Sequence, residues 1–291
     1  MCAARWERVT IVGCGLVGAS FALALKRAGA CARVAGRDTS PAVLDEALAR
    51  GIIDEVDTSF ESGGVSSSDL IYLATPVGGI VEFLHARTGQ LKEGAVVTDA
   101  GSTKTEVCRA ARESSGAGWR FVGGHPVAGS HRGGISHARA DLFDGAPYVL
   151  ASTEDGSDPA ALAAMKETLA SVGASVRVMT ASEHDRALAL VSHLPQLLSS
   201  ALASTVEDQP DAASLLGLSG AGFRDVTRLA ASPWSVWRDI LATNPREVAS
   251  ALEQLLDKLT AARDELRQLA DGGHSLEATA ALFNRSSRSS S

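Results

Sequence analysis

Between Val9 and Ala28 the chain reads V-T-I-V-G-C-G-L-V-G and then A-S-F-A-L-A-L-K-R-A. A β-branched run gives way, across glycines at positions 13, 15 and 18, to an Ala/Leu-rich stretch suited to a helix. Glycines at this spacing permit a tight strand-to-helix turn, a close approach of a ligand to the backbone, and close packing of the helix on the strand. N–H groups at the start of the helix lack intrahelical partners and attract phosphate. The N-terminal segment is thereby constrained to a strand, loop and helix that can hold a diphosphate.

The second strand supplies the complement. Asp38 follows Gly18 by 20 residues and closes A-R-V-A-G-R-D, where a carboxylate can receive ribose hydroxyls. A dinucleotide site is expected, with Gly13, Gly15, Leu16, Val17 and Gly18 around the pyrophosphate and Asp38 at the ribose. Asp38 would repel a 2′-phosphate whereas Arg37 beside it could attract one, so NAD is favoured over NADP; the alternative for Arg37 is a solvated surface charge. Thr75 and Pro76, closing L-I-Y-L-A-T-P, fall where a further strand would end beside the same crevice, or serve only to stop that strand.

Up to about Thr180, short apolar runs (VTIVG, ARVAG, LIYLAT, AVVTDA, RFVGG, PYVLAST, SVRVMT) alternate with helical stretches, which implies a mostly parallel sheet covered on both faces. Beyond it strand signals stop and Ala/Leu-rich segments take over. The expected fold class is α/β: a Rossmann-type dinucleotide-binding domain over residues 1–180, an all-α domain over 181–280, and a disordered tail over 281–291 that includes N-R-S-S-R-S-S-S. Val248, Leu252, Leu255, Leu259, Ala262, Leu266 and Leu269 recur at alternating spacings of four and three. Such a stripe faces either the domain's own core or the equivalent helix of a second copy, making a homodimer.

Composition narrows the partners. With 27 basic and 34 acidic side chains, the net charge of −7 offers no field for nucleic acid or an anionic membrane, so a small molecule or another subunit is expected. The four cysteines show no C-x-x-C spacing, which argues against zinc and against a disulfide framework. No metal site is expected. No apolar run approaches the roughly 20 residues of a membrane span and no signal-like region is read at the start, so the expected location is cytoplasmic.

Two further segments carry chemistry. One strand ends in D-A-G-S-T-K (99–104) and the next in G-G-H-P (123–126), so Ser102 and His125 should converge where ligands bind in an open α/β sheet. Ser102 could equally cap a helix, and His125 could be a buried structural histidine.

Together GCGLVG, DAGSTK, GGHPVAGSHRGGISHARADLF, SHLPQLLSSALA and GFRDVTRLAASPWSVWRDI resemble the prephenate and arogenate dehydrogenases of tyrosine biosynthesis, to about Leu269. The resemblance implies hydride transfer from ring C4 of a cyclohexadienyl substrate to NAD, with loss of the ring carboxylate. It implies His125 as the base, Ser102 as its hydrogen-bonding companion, and Arg228 as the substrate-carboxylate ligand. His193 and Gln196 match pocket-lining positions, and Ser192 and Trp237 are lesser candidates. The family often carries glutamate where this chain has His131 and a second histidine where it has Gln196, so recognition on the substrate side departs from the pattern at both. His137 is expected on the solvent face of a helix through I-S-H-A-R-A-D-L-F. A β-hydroxyacid dehydrogenase is disfavoured, since that family relies on a lysine and none occurs between Lys166 and Lys258. A non-catalytic NAD-binding sensor lacks a reason to carry Ser102, His125 and Arg228 together.

Overall fold

The computed structural model describes residues 5–57, 65–114, 118–128, 133–152 and 158–286. It divides into two compact units, residues 1–188 with 232–244, and residues 189–231 with 245–291.

The first unit is built on a sheet of β1 (Trp6–Val12), β2 (Cys31–Arg37), β3 (Glu55–Val56), β4 (Leu70–Leu73), β5 (Val96–Asp99), β6 (Arg120–Pro126), β7 (Pro147–Ser152) and β8 (Ser175–Thr180). Their order is β3-β2-β1-β4-β5-β6-β7-β8. The first six run parallel; β7 is antiparallel to β6, and β8 is parallel to β7. Chain order reverses between β1 and β4, so the connections after these strands leave in opposite directions and open a crevice at their carboxyl ends. The two-residue β3 carries too little pattern to be visible in the sequence.

Around the sheet lie α1 (Leu16–Ala28), α2 (Pro41–Ala49), α3 (Val77–Arg87), α4 (Thr105–Glu113), α5 (Pro159–Ser171) and α6 (Ala181–Leu188). Every residue of β4 is buried, and its side chains alternate between two cores. Leu70 and Tyr72 join Phe21 and Leu25 of α1 and Met165 and Leu169 of α5. Ile71 and Leu73 join Ile80 and Leu84 of α3 and Val107 and Ala111 of α4.

After a π-helical stretch, Ala189–His193, come α7 (Leu194–Glu207), α8 (Ala212–Gly217), α9 (Ala221–Thr227), α10 (Trp234–Thr243), α11 (Pro245–Ala270) and α12 (Glu277–Ser286). Along α11, Val248 is buried, Leu252, Leu255 and Ala262 are half-buried, and Leu259, Leu266 and Leu269 are exposed. The stripe is thus covered at its N-terminal end and uncovered at the other.

The unit boundary differs from the expected one. Helices α6 and α10 stand with the sheet, because Asp185 of α6 accepts from the Lys104 and Thr105 N–H groups at 2.7 and 2.8 Å, and Asn244, just after α10, donates to the Asp185 carbonyl at 2.8 Å. Where strand signals stop is therefore not where packing stops. Part of the expected disordered tail is also helical: α12 runs to Ser286, its first turn held by the Glu265 carboxylate, which accepts from Ala278 N and Thr279 N at 2.7 and 2.8 Å.

The helical run Ala181–Glu207 is, by length and composition alone, apolar enough to cross a membrane, contrary to the sequence expectation. It also carries buried His184, Asp185, His193, Gln196 and Ser199, polar groups that suit a helix packed within protein.

Candidate active site

A cavity of about 630 Å³ opens at the carboxyl ends of β1, β2 and β4, lined among others by Gly13, Gly15, Arg37, Asp38, Thr75 and Pro76. Gly13 has φ +94°, and a Cβ there would lie 2.7 Å from the Ala74 carbonyl carbon. A Cβ on Gly18 would lie 2.0 Å from the Gly13 carbonyl oxygen. Both glycines therefore permit internal packing of the turn. Gly15 differs: nothing lies within 4 Å of its Cβ position, which leaves room for a group from outside. Leu16, Val17 and Gly18 form the first turn of α1, whose N-terminus has no side-chain cap.

Asp38 has a role that spacing does not reveal. Its carboxylate accepts from Cys14 N at 2.8 Å and Ser40 N at 2.9 Å, tying the glycine loop to the end of β2. Arg37 is not a solvated charge: it is half-buried, donates to the Asp57 carbonyl at 3.4 Å, and lies 3.9 Å from that residue's carboxylate. The buried Thr75 hydroxyl has no hydrogen-bond partner among the described residues. The open side of Gly15, the uncapped helix start and this hydroxyl all fit a dinucleotide.

A chain of three side chains ends at His125. The Asp185 carboxylate lies 2.8 Å from His184 Nδ1, and His184 Nε2 lies 2.7 Å from His125 Nδ1. Against a carboxylate, His184 Nδ1 must carry its proton, so neutral His184 presents Nε2 as an acceptor. His125 Nδ1 then donates, and His125 Nε2 is left as the ring's acceptor nitrogen. His184 is fully buried and His125 nearly so, which holds both rings in place. Burial alone would raise the Asp185 carboxyl, but hydrogen bonds from His184, Thr105 and Lys104 outweigh it and hold the group below its ordinary value.

Ser102 lies half-buried between β5 and α4, and its hydroxyl makes no hydrogen bond among the described residues. It does not cap α4; Lys104 occupies the cap position and Asp185 takes the free N–H groups. His131 lies outside the described residues. His137 is exposed as expected, but the helix there is a single 3₁₀ turn, Ile135–His137, after which Ala138 is extended.

In the second unit, Arg228 opens a 3₁₀ turn, Arg228–Ala231, and is exposed with no side-chain hydrogen bond or ion pair among the described residues. Gln196 is buried and donates to the Leu229 carbonyl at 2.9 Å, so it holds the turn that begins with Arg228. Ser199 adds a second tie, accepting from Ala230 N at 3.0 Å. His193 is buried and Ser192 half-buried on the π-helical stretch. Trp237, half-buried on α10, belongs to the first unit. Sequence reasoning passed over His184 and Asp185 as partners of His125; the adjacent His-Asp pair just after a strand was the available signal.

A sheet that reverses at β1/β4 around an open-sided glycine loop, with an oriented imidazole on β6 of the same unit, defines a dinucleotide-dependent dehydrogenase. Residues 21–178 match the family model described as prephenate dehydrogenase, nucleotide-binding domain, and residues 180–276 match the prephenate dehydrogenase, dimerization domain. The chain belongs to the prephenate dehydrogenase family. A prephenate dehydrogenase of Lactococcus lactis is 36% identical over 85% of this chain and 68% of its own. The structure of prephenate dehydrogenase from A. aeolicus, in complex with hydroxyphenyl propionate and NAD+, superposes with a TM-score of 0.87 at 32% identity, covering 97% of this chain and 96% of that one. Arogenate dehydrogenase of Synechocystis gives 0.81 at 29% identity, covering 98% and 99%.

Two glycine substitutions should separate packing from ligand space. Gly15→Ala should keep its melting temperature within about 2 °C of the parent and lose NAD affinity, read by fluorescence titration, whereas Gly18→Ala should melt several degrees lower. Asp185 supplies a pH test. Because its folded-state value is lowered, its contribution to stability is present above the unfolded value of about 3.9 and is lost as pH falls through it towards the folded value. Denaturant unfolding should show Asp185→Asn weaker than the parent at neutral pH, with the gap narrowing below about pH 4.

Proposed function

We propose that the chain oxidises prephenate with NAD, releasing CO2 and forming 4-hydroxyphenylpyruvate, with arogenate as the alternative substrate of the same ring chemistry. The observation that carries this reading is the side-chain chain Asp185–His184–His125, whose spacing favours the His125 tautomer with Nε2 as acceptor. Gly13, Gly15, the first turn of α1, Asp38 and Thr75 would hold the cofactor. Its nicotinamide supplies the acceptor for the hydride leaving ring C4.

His125 Nε2 takes the proton of the C4 hydroxyl, a step worth roughly 10²–10⁴-fold. The C4 oxygen becomes a carbonyl as the hydride leaves; cleavage of the bond from C1 to its carboxylate then returns an electron pair to the ring. Aromatisation leaves a phenolate oxygen, which recovers the proton from His125. Ser102 is assigned to the same hydroxyl. Arg228 is assigned to a substrate carboxylate, which its planar fork binds through two parallel hydrogen bonds. Gln196 contributes by holding the Arg228 turn, while His193, Ser192, His131 and Trp237 remain candidates for the pocket wall. The similarity to the Synechocystis arogenate dehydrogenase keeps the amino substrate in view. The exposed Leu259, Leu266 and Leu269 support a homodimer through the helical unit, the unit that matches the family's dimerization domain. The reducing cytoplasm suits this assignment, with Cys14, Cys31 and Cys108 all free.

The direct test follows nicotinamide reduction with prephenate and with arogenate; silence with both would remove the assignment. With the active substrate, kcat/KM should rise with pH along one protonation limb. His125→Asn should lower kcat by roughly 10²–10⁴ and abolish that limb while sparing NAD affinity. Arg228→Ala should raise the substrate KM by roughly 10- to 100-fold and leave the KM for NAD unchanged, since a hydrogen bond to a charged group contributes about 1.5–3 kcal/mol.

A further inference from the structure

The β5–β6 ladder ends at Thr98 and Val122. Beyond it β5 turns away at Ala100, whose N–H donates to the Leu73 carbonyl at 2.8 Å, while β6 continues towards His125 beside β7. The gap between the diverging strands is filled by the Asp99 carboxylate. One oxygen accepts from Gly124 N at 2.9 Å, the other from Gly101 N at 2.8 Å and from the Lys104 ammonium. Lys104 and Asp99 are both completely buried. A Cβ on Gly124 would lie 2.3 Å from the Asp99 carbonyl oxygen, so a glycine before His125 is what lets the carboxylate reach that strand.

Asp99 therefore grips the residue before His125 and the residue before Ser102 at once. Lys104 closes the turn from the other side, with its ammonium on Asp99 and its N–H on Asp185 at 2.7 Å. Asp185 leads through His184 to the ring of His125. The result is a circuit: one carboxylate holds the backbone of Gly124, the residue before His125, the other reaches the His125 ring through His184, and the two carboxylates meet at Lys104. Ser102 sits inside the turn that the circuit encloses. With no exposed surface, the Lys104 ammonium cannot be a ligand for substrate or cofactor, and its charge is spent on Asp99.

We propose that the Asp99–Lys104 pair is a positioning device that sets the Gly101–Ser102 turn against His125. The proposal rests on the reading of Ser102 and His125 as catalytic residues. A device of this kind acts on kcat through Ser102 and does not contribute to cofactor binding.

The experiment uses the full chain with NAD and prephenate, or arogenate if that is the active substrate, and compares Lys104→Gln and Lys104→Met, each alone and combined with Ser102→Ala. Gln keeps a donor towards Asp99 without the charge, and Met removes both. Lys104→Gln should lower kcat roughly 10- to 100-fold, the scale of a small misplacement of a reacting group, with the KM for NAD within about twofold of the parent. Added to Ser102→Ala it should cause no further loss, because residues that act through one another are not additive. The proposal is overturned by parental kcat in both Lys104 variants, by losses that multiply with that of Ser102→Ala, or by a KM for NAD that rises in step with the fall in kcat. Failure of both variants to fold would make the pair an element of stability and overturn it too. Parental kcat/KM in Ser102→Ala and His125→Asn would instead remove the catalytic reading beneath it, an outcome distinguishable from the others.

Discussion

A parallel sheet leaves backbone N–H groups without ladder partners wherever its strands diverge at their carboxyl ends, and buried N–H groups must find acceptors. In this protein three aspartates meet that demand. Asp38 takes the N–H groups of Cys14 and Ser40, Asp99 those of Gly101 and Gly124, and Asp185 those of Lys104 and Thr105. Each lies beside a group to which chemistry is assigned: the glycine loop, the turn bearing Ser102, and the histidine pair. A carboxylate accepts several N–H bonds from different directions, which a backbone carbonyl in a ladder cannot do. The site's geometry depends on this substitution of side chain for strand.

The same constraint explains what could be read from sequence. The glycine loop, the alternation of strands and helices, Asp38, and the placing of His125 after a strand are local patterns, and period and spacing reveal local patterns. The bonds that bring His184 to His125 and Lys104 to Asp185 join residues 59 and 81 positions apart, and no periodicity records them. Gln196 was legible as a polar residue in a motif, but its tie to the Leu229 carbonyl, 33 residues away, was not. For the same reason α6 and α10 read as parts of a helical domain although their polar ties run to the sheet. The capping of α12 by Glu265 is a smaller instance, a carboxylate holding the start of a helix that runs on into residues composition marks as tail.

The stripe on α11 is unevenly covered. Its N-terminal end is covered, with Val248 at 6% exposure, whereas Leu266 is at 54%. A small helical unit has a limited core, and apolar area left open on a regular seam favours association with a second copy. The question of core stripe or dimer seam therefore has no single answer along the helix.

The charges beneath the assigned base are balanced unequally. Asp99 has Lys104 as a buried counter-ion. Asp185 has no such cation among the described residues: it is stabilised by N–H donors and by the dipole of His184. In the resting state this leaves a buried negative charge one imidazole away from His125. Under the proposed role of His125 as base, the imidazolium would lie opposite that charge across His184, and the attraction would appear only then. Such an interaction favours the step that generates the cation and adds nothing to the binding of neutral groups, which is what selective stabilisation along a reaction requires.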